Sequence, residues 1–565
     1  MVNPESSNSR AWLGGTMAIA VVVLLGGWAM LLLARSRQPA PPLPPYALPR
    51  ASPDEPLPER PTAGRAARQV LVFNNGVEPQ SLDPAVMTGL PEHTIALGLF
   101  EGLTSLHPKT LVPVPGIAER WGVSPDGRTY VFHLRPSRWS NGQPLTAADF
   151  VYSWRRVLAA TTAAEYAYML YGIENARAIN EGKLADPARL GARALDDLTL
   201  EVRIEHPIAY FLELTAFGTF APVHRPTVEA HGERWTRPGN LVSNGPFTLA
   251  DWRQHDRIVL RRNPHYWDAP RLALDEVQVL AIDDSETALK KYLNREVDWI
   301  REVPGPKVAA AATIPGFRYS PQLGTYFYRF NVTRPPLDDR RVRLALDLAV
   351  DKEAIVRYLL RAGQRPARSL VPPILLGYRA VEGPEYGPDR ARKLLAEAGF
   401  PGGRGFPSLE LLYNTSEAHQ QIAEAVQHMW HASLGIRIRL LNQEWKVYLD
   451  SMSHLDYDIA RASWIGDYAD PNTFLDCFVT GGGNNRTGWS HPRYDQLIAD
   501  AARQADPDQR MKLLQDAERI LVCDELPIMP IYFYVNSYLV HPTVHGIFDN
   551  SRNFHPFQYI WIAAN

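Results

Sequence analysis

Across residues 324–464 strand-length apolar segments alternate with helix-length amphipathic ones, and this alternation limits the possible folds more than any other feature of the chain. The strand text GTYFYRFN (324–331) is followed by helical text over 338–360, the helix ARKLLAEAGF and the strand SLELLYN. A long helix stopped by Gly435 comes next, then strand IRIRL, helix QEWKVYLDSM and strand YDIARASW. Strands separated by helices are joined by crossovers rather than hairpins. The pattern therefore predicts an α/β fold with a largely parallel sheet covered by helices, and it favours ligands at the carboxyl ends of the strands. IMPIYFYVN is the last strand, before a short tail.

Upstream the text is mixed. VLVFN (70–74) reads as a strand, and a second strand over 129–134 follows the turn signal Pro125, Asp126, Gly127. Thr146 and Asp149 form a capping box that opens a helix with Phe150, Trp154 and Val157 on one face. Leu198, Leu200, Val202 and Ile204 alternate with polar residues and predict a half-buried strand. At 565 residues the chain has room for three or four units of about 150 residues. It shows no fixed-period repeat.

The N-terminus carries a different signal. Residues 11–34 run for 24 positions without a charge, enough at about 1.5 Å per residue to span a hydrocarbon core of roughly 30 Å. Arg35 and Arg37 follow directly, where a cleaved signal would have a small-residue site, so the segment predicts an uncleaved signal anchor after a cytoplasmic N-terminus of residues 1–10. The Pro-rich residues 35–65 favour extended polyproline and predict a spacer from the membrane.

Other features exclude function classes. A net charge of −2 gives no global field for nucleic acid, and Cys477 and Cys523 allow at most one disulfide. The chain lacks a phosphate loop, a dinucleotide-binding glycine motif, HExxH and a GxSxG elbow, so no catalytic set, cofactor or metal is predicted. His428 and His431 read as a helix face, and Ser490 with His491 as a loop before a helix. The stretch RASWIGDYADP (461–471) is more informative. Asp470 before Pro471 reads as a turn or cap residue. Asp467 reads either as another, or as a carboxylate that meets a cation in a pocket walled by Trp464, Tyr468 and Trp445.

The stretches NNGVEPQSLDP, FEGL, AERWGVSPDGRTYVFHLRPSRWSNGQPLTAADFVYSW, RNPHYWD, LLAEAGF, LLYNTSEAHQ, NQEWKVYLD, RASWIGDYADP and IYFYVN recur in this order in a known family. Over residues 69–562 the chain resembles the oligopeptide-binding proteins of bacterial ABC importers, within extracellular solute-binding protein family 5. The resemblance implies a two-lobed periplasmic binding protein of the type II class, a three-domain clamp that buries a short peptide. Domain I would combine 66–100, 228–323 and 538–565; domain II would be 101–227 and domain III 324–537. The implied partners are short peptides and an inner-membrane ABC permease. The protein would act as a monomer on the periplasmic side, held by its N-terminal helix, with ordinary or murein peptides as ligand and no enzymatic activity.

By the same resemblance Asp467 would take the peptide's α-amino group, and Tyr166 would lie against that end. Arg461 would meet the carboxylate, His419 would serve another ligand length, and Trp445 and Trp464 would line side-chain pockets. A structural salt bridge for Arg461 and a helix-surface position for His419 are the alternatives. The chain also departs from the family pattern, with Gly324 and Ile465 where members carry a cysteine pair and Met452 where they carry an arginine.

Overall fold

The computed structural model describes residues 55–61, 63–375, 377–504 and 506–564. The predicted anchor, residues 11–34, and the linker up to residue 54 lie outside them. Among the described residues no helix is long and apolar enough to cross a membrane. The end of the Pro-rich segment does not stand free as a spacer. Arg60 pairs with Asp268 at 2.6 Å and lies 4.9 Å from the Tyr559 ring centroid, which docks this stretch on the body.

Among the described residues eleven strands make the main sheet, and it is mixed rather than largely parallel. Val70–Asn74 pairs in parallel with Glu276–Leu280, and Leu409–Asn414 with both Ile438–Gln443 and Ile459–Ile465, as crossover helices require. At the centre, however, Phe317–Phe330 and Ile528–Val540 pair antiparallel with each other, and Phe317–Phe330 pairs antiparallel with Ile459–Ile465. The chain enters one lobe on the first of these long strands and leaves on the second, so they run in opposite directions. Alternation over 324–464 cannot reveal this, because the exit strand lies some 200 residues downstream of the entry.

The two long strands join a lobe built on 70–74, 247–253, 257–262 and 276–280 to one built on 409–414, 438–443 and 459–465. A separate four-stranded antiparallel sheet, Ala118–Val123, Thr129–Leu134, Thr199–Arg203 and Ala192–Asp196, packs with helix Ala147–Leu158. That helix opens with the predicted capping box and buries Phe150, Trp154 and Val157. Leu198 is not in the strand: its N–H bonds the Asp196 carboxylate in a turn, while Leu200, Val202 and Ile204 are buried.

The helical text over 338–360 breaks after Leu348 and resumes at Lys352, where Asp351 caps the new start by accepting from the Ala354 N–H at 2.9 Å. The long helix is continuous, Glu417–Leu434, and ends on Gly435 at φ 72°. Cys477 and Cys523 are unpaired. Gly324 and Ile465 face each other across the sheet, and Ile465 Cδ1 lies 2.3 Å from where a Gly324 Cβ would be, so the isoleucine fills that space.

Candidate ligand-binding site

Between the lobes lies a cavity of about 410 Å³, within the usual range for a small-molecule site. Its wall draws on residues 88–94 and 213–218, the tail residues Arg552 to Phe554, helix Trp445–Ser453, and strand Ile459–Ile465 with the loop beyond it. Every residue from Arg461 to Asp467 contributes to the wall, from the end of the strand into the loop beyond it. A Cβ at Gly466 would lie 2.7 Å from Leu323 Cδ2, so only glycine lets the loop pack this closely before Asp467.

Asp467 faces the cavity. Its backbone N–H is held by Thr473 Oγ1 at 3.0 Å, while its Oδ2 is shut off from solvent and has no hydrogen-bond partner. Burial raises this carboxyl to about 7, against the opposing influence of Arg552 and Thr473. Tyr166 lies beside it and stacks on Trp464 with centroids 6.3 Å apart. Trp445 stacks on Tyr448 at 5.6 Å, and both tryptophan Nε1 atoms lack partners.

Arg461 is buried without a carboxylate in ion-pair range among the described residues. It donates to Tyr534 OH at 2.9 Å and Asn414 Oδ1 at 3.3 Å, stands 4.9 Å from the Tyr326 ring centroid, and leaves its Nε unpaired. The salt-bridge alternative therefore does not describe it. Met452 also lines the cavity and is backed by Leu412, Tyr448 and Tyr457.

Two of the expected residues are not in the wall. Tyr468 turns away from the cavity, stacking on Tyr210 at 4.2 Å and 10° and accepting from Asn472 at 3.1 Å. His419 sits behind Tyr326, 5.6 Å between rings, and burial, then the charge on Arg461, lowers its pKa well below the ordinary value. It is neutral there and offers no cation to a carboxylate. Asp470 has the bland role, capping Asn472 N–H and forming a two-pronged ion pair with Arg510 at 2.7 and 2.8 Å.

Sequence reasoning misses Arg329, Arg486, Arg552, Glu213 and His93, all in the wall. They come from five distant segments with no local motif. Burial, then Arg552, lowers His93 to about 4, so it too is neutral. Eight lining residues carry a buried polar atom without a partner: His93, Arg329, Trp445, Arg461, Trp464, Asp467, Arg486 and Arg552. Buried polar atoms are nearly always satisfied in a native protein, so a cluster of orphans around one cavity marks where a polar ligand completes the bonding.

Two lobes joined by paired strands around a largely apolar cavity that holds a few buried charged groups define a clamp-type binding protein. The profile of the bacterial extracellular solute-binding proteins, family 5, matches residues 112–486, and the chain belongs to that family. It is 40% identical over 505 residues to the periplasmic oligopeptide-binding protein OppA of Salmonella typhimurium, covering 85% of this chain and 90% of that one. The structure of the Escherichia coli murein tripeptide binding protein MppA superposes with a TM-score of 0.85 at 37% identity, covering 89% of this chain and all of that one. The unliganded open form of MppA, at 38% identity and covering 89% and 98% of the two chains, reaches only 0.62. At nearly equal identity, the lower score shows that the lobes here are not set as they are in that open form.

Proposed function

We propose that this chain is the substrate-binding component of a peptide ABC importer, closing over a short peptide and delivering it to an inner-membrane permease. The observation that carries this reading is Asp467, a buried carboxylate with one oxygen unpartnered, in a cavity whose other charged groups are mainly guanidiniums. A peptide's ammonium pairs with Asp467 and its carboxylate with Arg461, while Tyr166, Trp445 and Trp464 pack its backbone and side chains. Charges buried in this way are tolerable only when paired, which is what a zwitterionic ligand supplies. The three-domain division over 66–565 and a monomeric state belong to the same reading. A murein peptide is the second reading, supported by the excess of arginine over carboxylate in the wall.

N-acetylation of a peptide removes the charge that Asp467 neutralises and leaves that carboxylate buried and unpaired, at a cost of about 2 to 5 kcal/mol. Calorimetry should show at least a tenfold loss of affinity for the acetylated form, and a similar loss for Asp467→Ala with the free peptide. Equal binding of both forms would sink the role of Asp467. We assign the protein to the periplasmic face of the inner membrane, tethered by residues 11–34, on the strength of their uncharged length. Cell fractionation checks this: full-length protein should travel with membranes, and a soluble species lacking residues 11–34 would refute the tether.

A further inference from the structure

We propose that Arg329 and Arg486 form a second carboxylate subsite in the cavity wall, which selects ligands with one acidic group more than a simple zwitterionic peptide. The inference rests on the peptide-binding reading and extends it to the charge of the ligand.

Arg329 projects from the long strand Phe317–Phe330 and is 4% exposed. Its Nη1 donates to the Asn484 carbonyl at 3.0 Å, and its guanidinium lies 5.6 and 5.8 Å from the Phe327 and Phe478 ring centroids. Its Nε is buried without a partner, and no carboxylate of the described residues lies within ion-pair distance. Arg486, two residues beyond Asn484, is also in the wall. It pairs with Glu165 on one side and leaves its own Nε buried and unpaired.

Two guanidiniums against one carboxylate leave this corner with one uncompensated positive charge out of water. The two arginines feel each other: burial, and after it among the lowering effects the charge on Arg486, pull Arg329 below its ordinary pKa, with Tyr457 opposing. Repulsion of this kind is relieved by an anion placed between them, and two orphan N–H groups supply its hydrogen bonds. The subsite is separate from Arg461, whose partners Asn414 and Tyr534 it does not share. A zwitterionic peptide spends its ammonium on Asp467 and its terminal carboxylate on Arg461, so the charge at Arg329 and Arg486 is met only by a further carboxylate. That group can sit on an acidic side chain or on a cell-wall peptide.

The test is calorimetry on the full chain in detergent with alanine tripeptides carrying Glu or Gln at each position in turn, and with murein tripeptide against its side-chain amide. Glu should bind at least tenfold tighter than Gln at one position, or murein tripeptide at least tenfold tighter than its amide, and the member that gains identifies the source of the carboxylate. In Arg329→Gln the acid-to-amide ratio should fall to within twofold of unity, a ratio that a general loss of affinity does not move. Equal binding of acid and amide everywhere in the unaltered protein would overturn the subsite while leaving peptide binding intact. A tenfold preference that survives Arg329→Gln would overturn the assignment to Arg329. Failure of every peptide to bind would overturn the peptide reading, and the subsite with it.

Discussion

Asp467 ties the ligand to pH. Because burial raises this carboxyl from the ordinary 3.8 to about 7, the folded, ligand-free protein holds a proton that the unfolded chain has already released across that window. The unfolded state binds fewer protons there, so Asp467 costs stability progressively as pH rises from about 4 to about 7. Ligand affinity moves the opposite way, since the ammonium needs the ionised carboxylate. At pH 6, one unit below its pKa, only about a tenth of the sites are ionised, and affinity should be roughly tenfold below its plateau above pH 7. Calorimetry across pH 5 to 8 should show that slope, with proton release on binding near pH 6. In Asp467→Asn both should vanish, and a slope that persists would place the titration elsewhere.

At the scale of elements, what was legible in the sequence was whatever local chemistry decides. The capping box at Thr146, the buried face of Phe150, Trp154 and Val157, and the stop at Gly435 all depend on residues within a few positions of one another. The antiparallel centre of the sheet depends on Ile528–Val540 returning beside Phe317–Phe330, a pairing with no local trace. The site divides in the same way. Trp464 and Asp467 lie in one apolar strand and its loop, where the fold class places ligands, whereas Arg552 and Arg329 reach the wall only because distant segments converge. Tyr468 shows the limit of proximity in sequence, since next to Asp467 it stacks on the distant Tyr210 instead of lining the cavity. The stop at Gly435 gives a stability prediction. At φ 72° an alanine is strained, and its Cβ would fall 2.7 Å from the Gly402 carbonyl oxygen. Gly435→Ala should therefore lose at least about 1 kcal/mol in denaturant unfolding, more than a strain-free exchange would cost. An unchanged midpoint would mean that the turn between Gly402 and Gly435 yields freely.

For the whole molecule the setting of the lobes is held in part by direct contacts between protein groups. Tyr210, just beyond the strand Thr199–Arg203 of the four-stranded sheet, stacks on Tyr468, just beyond the strand Ile459–Ile465, and its hydroxyl accepts from Asn472 at 3.1 Å. Nearby, the Glu213 carboxylate accepts the Ala469 N–H at 2.9 Å. These contacts form without a peptide in the structure, so they contribute to the closing equilibrium on which any ligand draws. Removing the stack with Tyr210→Ala should weaken closure by about 1 to 2 kcal/mol, a five- to thirtyfold fall in the closed-to-open ratio. Because Tyr210 does not line the cavity, every ligand should lose affinity by the same factor, free or acetylated peptide alike, mainly through faster release. Tyr210→Phe, which keeps the ring and loses only the bond to Asn472, should lose less. Stopped-flow dissociation with several peptides reads the factor directly, and small-angle scattering should find the ligand-free alanine variant more expanded. A loss that differs from peptide to peptide would show that Tyr210 acts through the pocket wall and not through the setting of the lobes.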